Sequence, residues 1–474
     1  MDIENCRKIR IMKLVALISG DGGSSTDGGS FIFTVKDAGK GDGTKKLICT
    51  NKFGEVVTTP SDQLHDKMTS GVSISAATSK SSQTIQNGFR STSISDVKNY
   101  YLKNISVWDY NSLKYFCQTL FEEASESDEM KARAIDVLTY LNDRHFETGN
   151  KKRSSVLHII RDTLTRIFAS SPKLNENTSS TYRFIDWSTR NTLRTPKENE
   201  KVLVLNARDF PPEGDTCDAR LICAAYELGW KRFISYGYKG QRFSGCGLGK
   251  ESNGVRIDVY DNSGDYLASG IDGLEMYVHG NAQDQLGQIM KSGKLVVYGD
   301  VGQTFMYGAK GGEVYVMGNA AGRPLINAVG RPRVVINGTA LDYLAESFMA
   351  GDPLNGGGFV ILNGIGFDST GKVVGLDNPY PGSNLFSLAS GGAIYMRDPH
   401  HTVVEEQLNG GEIVELGTAD WGLIRPYLEE NERLFGISIQ KDLLTVGERL
   451  REPKEVYRKV GAVKLGVLTE VEDD

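Results

Sequence analysis

Two periodicities divide the chain. Apolar residues recur at helical spacing between Ser95 and Ser171: Leu113, Phe116, Cys117, Leu120 and Phe121 fall at i, i+3, i+4, i+7 and i+8. Ala134, Val137, Leu138 and Leu141 form a second stripe, and Leu157, Ile160, Leu164, Ile167 and Phe168 a third that Pro172 ends. The spacing predicts a helical unit over 96–172, with its Lys and Glu on solvated faces. After residue 200 the apolar runs shorten to strand length. Lys201–Leu205 and Phe233–Tyr236 flank a stretch of helical composition, Cys217–Trp230, which predicts a strand–helix–strand unit over 201–249. Met12–Ile18 and Phe31–Val35 read as strands of an N-terminal segment, 1–68.

From residue 250 to 422 a short strand pattern repeats. A glycine turn precedes each apolar run: Gly273 before LEMYVHG, Gly293 before KLVVYG, Gly312 before EVYVMG and Gly330 before RPRVVING. Gly357-Gly358 then leads into FVILNG, Gly391-Gly392 into AIYMRD and Gly410-Gly411 into EIVELG. The interval is 20 residues from 273 to 293 and 19 from 293 to 312 and from 392 to 411, which is the length of one coil of a β-solenoid. Seven runs predict about seven coils. Alternation within each run points Val296, Val314, Val316, Val335 and Val360 into a common interior. The runs close on Asn281, Asn319, Asn337 and Asn363, which are positioned to stack as a ladder along one corner. The long interval holding Phe367–Phe386 is expected to leave the stack as a loop and to serve as a contact surface.

Composition sharpens this picture. Of 54 glycines, 36 lie between Gly237 and Gly422, so the excess belongs to the repeat, where turns of positive φ favour a residue without Cβ. Ser/Thr-rich residues 69–95 and polar residues 173–200 read as linkers. A net charge of -6 argues against a general nucleic-acid or anionic-membrane binder. No apolar run reaches the length of a spanning helix, and Asp2 and Glu4 argue against a secretory signal. The cysteines Cys6, Cys49, Cys117, Cys217, Cys223 and Cys246 form no CxxC pair and read as free thiols of a cytoplasmic protein.

Candidate chemistry is sparse. The loops Gly20–Ser30 and Gly245–Gly249 lack the Lys-Ser/Thr of a P-loop and the helix that a dinucleotide fold requires. His158 reads as packed on its helix, His279 sits at a repeat corner, and adjacent His400 and His401 point apart on an extended run. Asp258, Asp261, Asp265 and Asp272 read as turn residues. His65 and His145 complete the histidines. Residue pattern therefore assigns no catalytic, cofactor-binding or metal residue.

The stretch Gly273–Gly417, with GNAQDQLGQIMKSGKLVVYGD, FMYGAKGGEVYVMGNAAGR and GGFVILNG, resembles the GXGXG domain at the C-terminus of the glutamate synthase large subunit, and the related GXGXG chain of formylmethanofuran dehydrogenase. The similarity extends over about 201–463, its tail Leu423–Val463 resembling the helix and closing strand that follow the family's solenoid. The resemblance implies a fold that is mainly β with α parts: a right-handed parallel β-helix, preceded by a small α/β unit and an N-terminal α+β domain, and followed by capping helices and a tail over 423–474. It also implies a structural, domain-bridging role. Against the family's pattern, Cys6 follows MDIEN, no barrel-sized segment is read and the cysteines are not clustered, so neither glutamine hydrolysis nor flavin-dependent chemistry is expected of this sequence alone. The expectation is a non-catalytic scaffold of a multi-subunit oxidoreductase, with no cofactor in this chain and any flavin, iron–sulfur or molybdenum/tungsten centre in partner subunits. Two other readings stay open: a homo-oligomeric interaction module, and a hydrolase or amidotransferase-like enzyme with its site between the N-terminal region and the solenoid.

Overall fold

The computed structural model describes residues 93–462 in full and the backbone alone of residues 32–37 and 45–50. The expected strand at Met12–Ile18, the loop Gly20–Ser30, residues 69–92 of the Ser/Thr-rich stretch, Cys6 and His65 lie outside the described residues. The chain divides into two units, Met1–Ser81 and Ser82–Asp474. In the first, β1 (Ile32–Asp37) pairs antiparallel with β2 (Lys45–Thr50).

The second unit is mixed α/β. Four helices come first: α1 (Ile94–Asn104), α2 (Tyr110–Ala124), α3 (Asp128–Asp143) and α4 (Arg153–Ala169). Their starts are set by side chains that accept orphan backbone N–H groups, Ser93 and Asp96 reciprocally at α1, Asp109 at α2 and Ser127 at α3. The apolar stripes read from the sequence meet in one core: Leu113, Phe116, Leu120, Val137, Leu138, Leu141, Ile160 and Leu164 are all buried together. That core continues into Val202, Val204, Ile234 and Tyr236 of the sheet.

The sheet has twelve strands. β3 (Tyr182–Ile185), β4 (Val202–Asn206), α5 (Asp218–Glu227), β5 (Arg232–Tyr236) and β6 (Arg256–Val259) lead into β7 (Asp272–Val278), β8 (Ser292–Val297), β9 (Glu313–Val316), β10 (Arg333–Ile336) and β11 (Phe359–Leu362). A hairpin of β12 (Ile365–Phe367) and β13 (Val373–Gly375) precedes β14 (Ala393–Arg397) and β15 (Gly411–Glu415). Helix α6 (Thr418–Phe435), a two-residue pair β16 (Thr445–Val446) and β17 (Arg449–Leu450), a single helical turn (Pro453–Val456) and β18 (Tyr457–Ala462) close the described residues. The spatial order runs β15, β18, β14, β11 and then back through every strand to β3, leaving the sheet open, with no closed barrel among the described residues. Every neighbouring pair from β3 to β14 is parallel.

Three expectations change here. Tyr182–Ile185, read as part of a linker, is the last strand of the sheet: it pairs parallel with β4, a bridge from Lys173 covers its outer side, and its four residues are buried. The parallel stack starts before the repeat, at β3, and loses its seventh run: β15 pairs antiparallel with β18, which intervenes between it and β14. The C-terminal helix α6 does not cap an end, since Ile424, Leu428 and Phe435 pack on a face of the sheet over Tyr277, Val296 and Tyr315.

Both faces of these parallel strands are covered, so simple alternation cannot say which side is interior. One register row, Met276, Leu295, Val314, Val334, Val360 and Ile394, faces the returning segments of the repeat. The adjacent row, Tyr277, Val296, Tyr315, Val335, Ile361 and Tyr395, faces α6. Val314, Val316 and Val360 therefore share an interior, whereas Val296 and Val335 belong to the opposite face.

Candidate functional site

The segments returning between strands form a second hydrogen-bonded wall. In each repeat three alternate residues have positive φ: 285, 287 and 289; 304, 306 and 308; 323, 325 and 327; 343, 345 and 347; 384, 386 and 388. Most are not glycine. The middle residue of each triad, such as Met306, Leu325, Ala345 or Phe386, is buried in the core, and the outer two face away from it. Backbone N–H groups in this wall point alternately to the next and the preceding repeat. Gln285 donates to Gln303 O at 2.8 Å, Gly287 to Leu267 O at 2.9 Å and Ile289 to Tyr307 O at 2.8 Å. These bonds offset the roughly 1–2 kcal/mol that each non-glycine residue costs in the left-handed region.

At the corner after each strand, Asx side chains bridge successive repeats. Asn281 N–H donates to Asn262 Oδ1 at 3.2 Å, Asp300 N–H to Asn281 Oδ1 at 2.9 Å, Asn319 N–H to Asp300 Oδ1 at 2.7 Å and Thr339 N–H to Asn319 Oδ1 at 2.9 Å. A Cβ on Gly299, Gly318 or Gly338 would overlap the Oδ1 atom of Asn281, Asp300 or Asn319. Positive φ explains the glycines where the strands begin, Gly273 and Gly293 as second residues of β7 and β8 and Gly312 just before β9. Close approach of a neighbour's side chain explains those after them.

The expected asparagine ladder is thus two ladders. Asn337 and Asn363 turn to the other face, where they are fully buried. Asn363 Nδ2 donates to Asn337 Oδ1 at 2.8 Å, Asn337 Nδ2 to Asn431 Oδ1 on α6 at 2.8 Å, and Tyr457 OH to Asn363 Oδ1 at 2.8 Å.

Residues 235–456 match the family model described as the GXGXG motif. This segment is a GXGXG domain. No curated protein matches the chain. Within the GXGXG domain, Gly245-Cys246-Gly247-Leu248-Gly249 spells the alternation in letters, all three glycines having positive φ, while the later triads keep the conformation with other side chains. Gly247 abuts Cys223 Sγ, so this loop is filled by protein.

Exposed apolar side chains form a staggered row along the wall: Ile289 is 46%, Tyr307 36%, Met349 51% and Leu388 73% exposed, with Ile289 and Leu388 on one register line, Tyr307 on the line before it and Met349 on a line beyond it. Half-buried Ile326 lies between Tyr307 and Met349 in chain order. Exposed Lys291 and Lys310 stand on the register line that Met349 also occupies, and exposed Arg331 follows at the same border of the wall. Exposed apolar side chains gathered on one surface in this way mark interaction surfaces.

The candidate polar residues distribute differently from the sequence expectation. His279 and Asp258, read as corner and turn residues, are buried at the junction of the helices with the GXGXG domain. His279 Nδ1 lies 2.8 Å from Asp143 Oδ2 at the end of α3, and Nε2 lies 2.9 Å from Asp258 Oδ1 on β6. Its ring stacks between Tyr260 at 4.4 Å and Tyr298 at 5.4 Å. Asp258 also receives Arg232 and, at 2.9–3.0 Å, Arg256. Burial pushes the imidazole down, but Asp143 and Asp258 together outweigh it and hold His279 up at about 9, a buried imidazolium. Burial likewise pushes Asp258 up, and Arg232, His279 and Arg256 overcome this to hold it well below the usual carboxylate range. With both ring nitrogens occupied and both ring faces covered, this cluster fastens α3 to the sheet.

His158 is exposed rather than packed, because it projects from the outer side of α4. His400 and His401 are exposed in the turn after β14. Cys117, Cys217, Cys223 and Cys246 are free thiols, and no cluster of three or more His, Cys, Asp or Glu suited to a metal ion occurs among the described residues. Asp261 has positive φ, as a turn residue can. The insertion after β11 folds back: Phe367 stacks on His145 at 4.0 Å and Gly371 abuts the backbone of His145 and Phe146. Burial, aided by Arg153, pushes His145 down to about 3, keeping that stacked ring neutral. Part of the expected contact surface is therefore spent inside the chain. A cleft of about 330 Å³ beside the start of α3 is lined by Ser127, Asp128, Lys131 and Ser180. Its Asp128 accepts from Ser180 Oγ at 2.8 Å and Thr181 N at 2.5 Å, bonds that fix the chain entering β3. Among the described residues no helix is long and apolar enough to cross a membrane.

Proposed function

We propose that the chain is a non-catalytic structural subunit whose GXGXG domain is a right-handed parallel β-helix docking the catalytic subunits of a glutamate-synthase-like oxidoreductase complex. The observation that carries this reading is the exposed row Ile289, Tyr307, Met349 and Leu388, set on a wall whose backbone groups are already bonded between repeats. A surface held this firmly presents side chains to a partner without first having to order itself, which lowers the cost of association. The parallel register, the returning wall and the 19–20 residue period support the β-helix. Flavin, iron–sulfur or molybdenum/tungsten centres would reside in the partners, and the complex would be cytoplasmic. Purification of the tagged chain from its native cells, followed by absorption spectroscopy and subunit quantitation, tests this. The expected result is a coloured complex of fixed stoichiometry. A colourless chain that purifies alone, or only as a homo-oligomer, would contradict it.

A further inference from the structure

We infer that the occupant of the exposed wall is an amphipathic helix of a partner protein, with carboxylates along one flank. This rests on the scaffold reading above and names the partner chemistry for that surface. From Ile289 to Leu388 the row crosses four steps between adjacent repeats, roughly 19 Å at strand spacing. A helix of about 13 residues covers that length, and its i, i+3, i+4 and i+7 positions fall at intervals close to the spacing of the repeats.

Charge complementarity selects the flank. Lys310 and Arg331 sit exposed beside the row, and neither is engaged in an ion pair or a side-chain hydrogen bond among the described residues. Lys291 approaches Asp272 only at 3.8 Å. On the other border of the wall the carboxylates are committed. Asp284 accepts from Gln303 N–H at 2.8 Å, and Asp342 accepts from Ser383 N–H at 2.7 Å and from its hydroxyl at 3.1 Å. With the half-buried carboxylate of Glu346 lying within the row, the exposed unpaired charge on the Lys310 and Arg331 border is cationic in a chain whose net charge is -6. An acidic flank pairs with it and fixes the direction in which the helix lies. Because the wall's N–H and C=O groups are used between repeats, a partner strand gains few main-chain bonds there, which favours recognition through side chains.

Photo-crosslinking in the native cells tests this. A benzophenone amino acid replaces Tyr307, and the crosslinked partner peptide is sequenced by mass spectrometry. The expected peptide has apolar residues at helical spacing with an excess of Asp and Glu. Lys310→Glu with Arg331→Glu lowers the yield roughly tenfold, while the thermal melt of the chain stays unchanged. A crosslinked peptide without helical spacing, a basic one, or crosslinks only to a second copy of this chain would overturn the inference. So would the absence of any crosslink. If the catalytic subunits still co-purify in that case, the scaffold reading survives and only this surface is excluded.

Discussion

His279 donates from Nδ1 to the Asp143 carboxylate at 2.8 Å, joining a residue just after β7 to the last residue of α3, 136 positions earlier. A carboxylate at a helix C-terminus is unfavourable against the helix dipole. Its placement there is explained by the buried imidazolium it holds, which Asp258 completes from β6.

Stability is expected to fall on the alkaline side because of this pair. The imidazole titrates near 6.5 when unfolded and is raised to about 9 in the fold. Its contribution is therefore complete below about pH 6.5 and is lost as pH rises through 9. Urea unfolding at pH 7 and pH 10 should show a loss of about 2 kcal/mol in the native chain that His279→Gln does not share. Parallel losses in both proteins would contradict the assignment.

Asp143→Asn should cost about 3 kcal/mol at pH 7, since it leaves an imidazolium buried beside one carboxylate in place of two. Asp136→Asn, at an exposed carboxylate of the same helix paired with Lys98, should cost under about 1 kcal/mol. Equal effects, measured by urea midpoints, would rule out the buried pair as the fastening.

Gly318→Ala should destabilise by about 2 kcal/mol, because the added methyl displaces Asp300 Oδ1 from the N–H of Asn319. Gly322→Ala is the control, with its nearest obstruction 4.0 Å away at Asp342 O. Differential scanning calorimetry separates the two, and equal melting temperatures would refute the corner ladder.

Asn337→Ala should cost about 2–4 kcal/mol by leaving Asn363 and Asn431 with buried unpaired amides. Thr304→Asn should stabilise by about 1 kcal/mol, as asparagine tolerates the left-handed conformation that Thr304 occupies better than a β-branched residue does. Urea midpoints of the two variants check both signs.

The helices and the strand repeat are legible because their signals are local. Leu113, Phe116 and Leu120 lie on one stripe whatever surrounds them. The face of each strand is not legible: Val296 and Val314 occupy equally apolar strands, and only the position of α6 and the returning wall distinguishes them. Tyr182–Ile185 is hidden by its polar neighbours, four residues being too short to show a period. The His279 cluster is invisible because its members are separated by 21 and 136 positions in sequence. The left-handed triads leave only a faint trace, since Met306, Leu325 and Phe386 hold a conformation normally signalled by glycine.

The central claim is that the GXGXG domain is a docking scaffold using its apolar wall. Affinity purification from native cells of the wild-type chain beside Leu388→Asp, with subunit stoichiometry read by mass spectrometry, tests it most directly. Partner subunits in fixed ratio on the wild type, and their loss from a variant with an unchanged melting temperature, are the predicted result. A wild-type chain without partners, or a variant that retains them all, would contradict it.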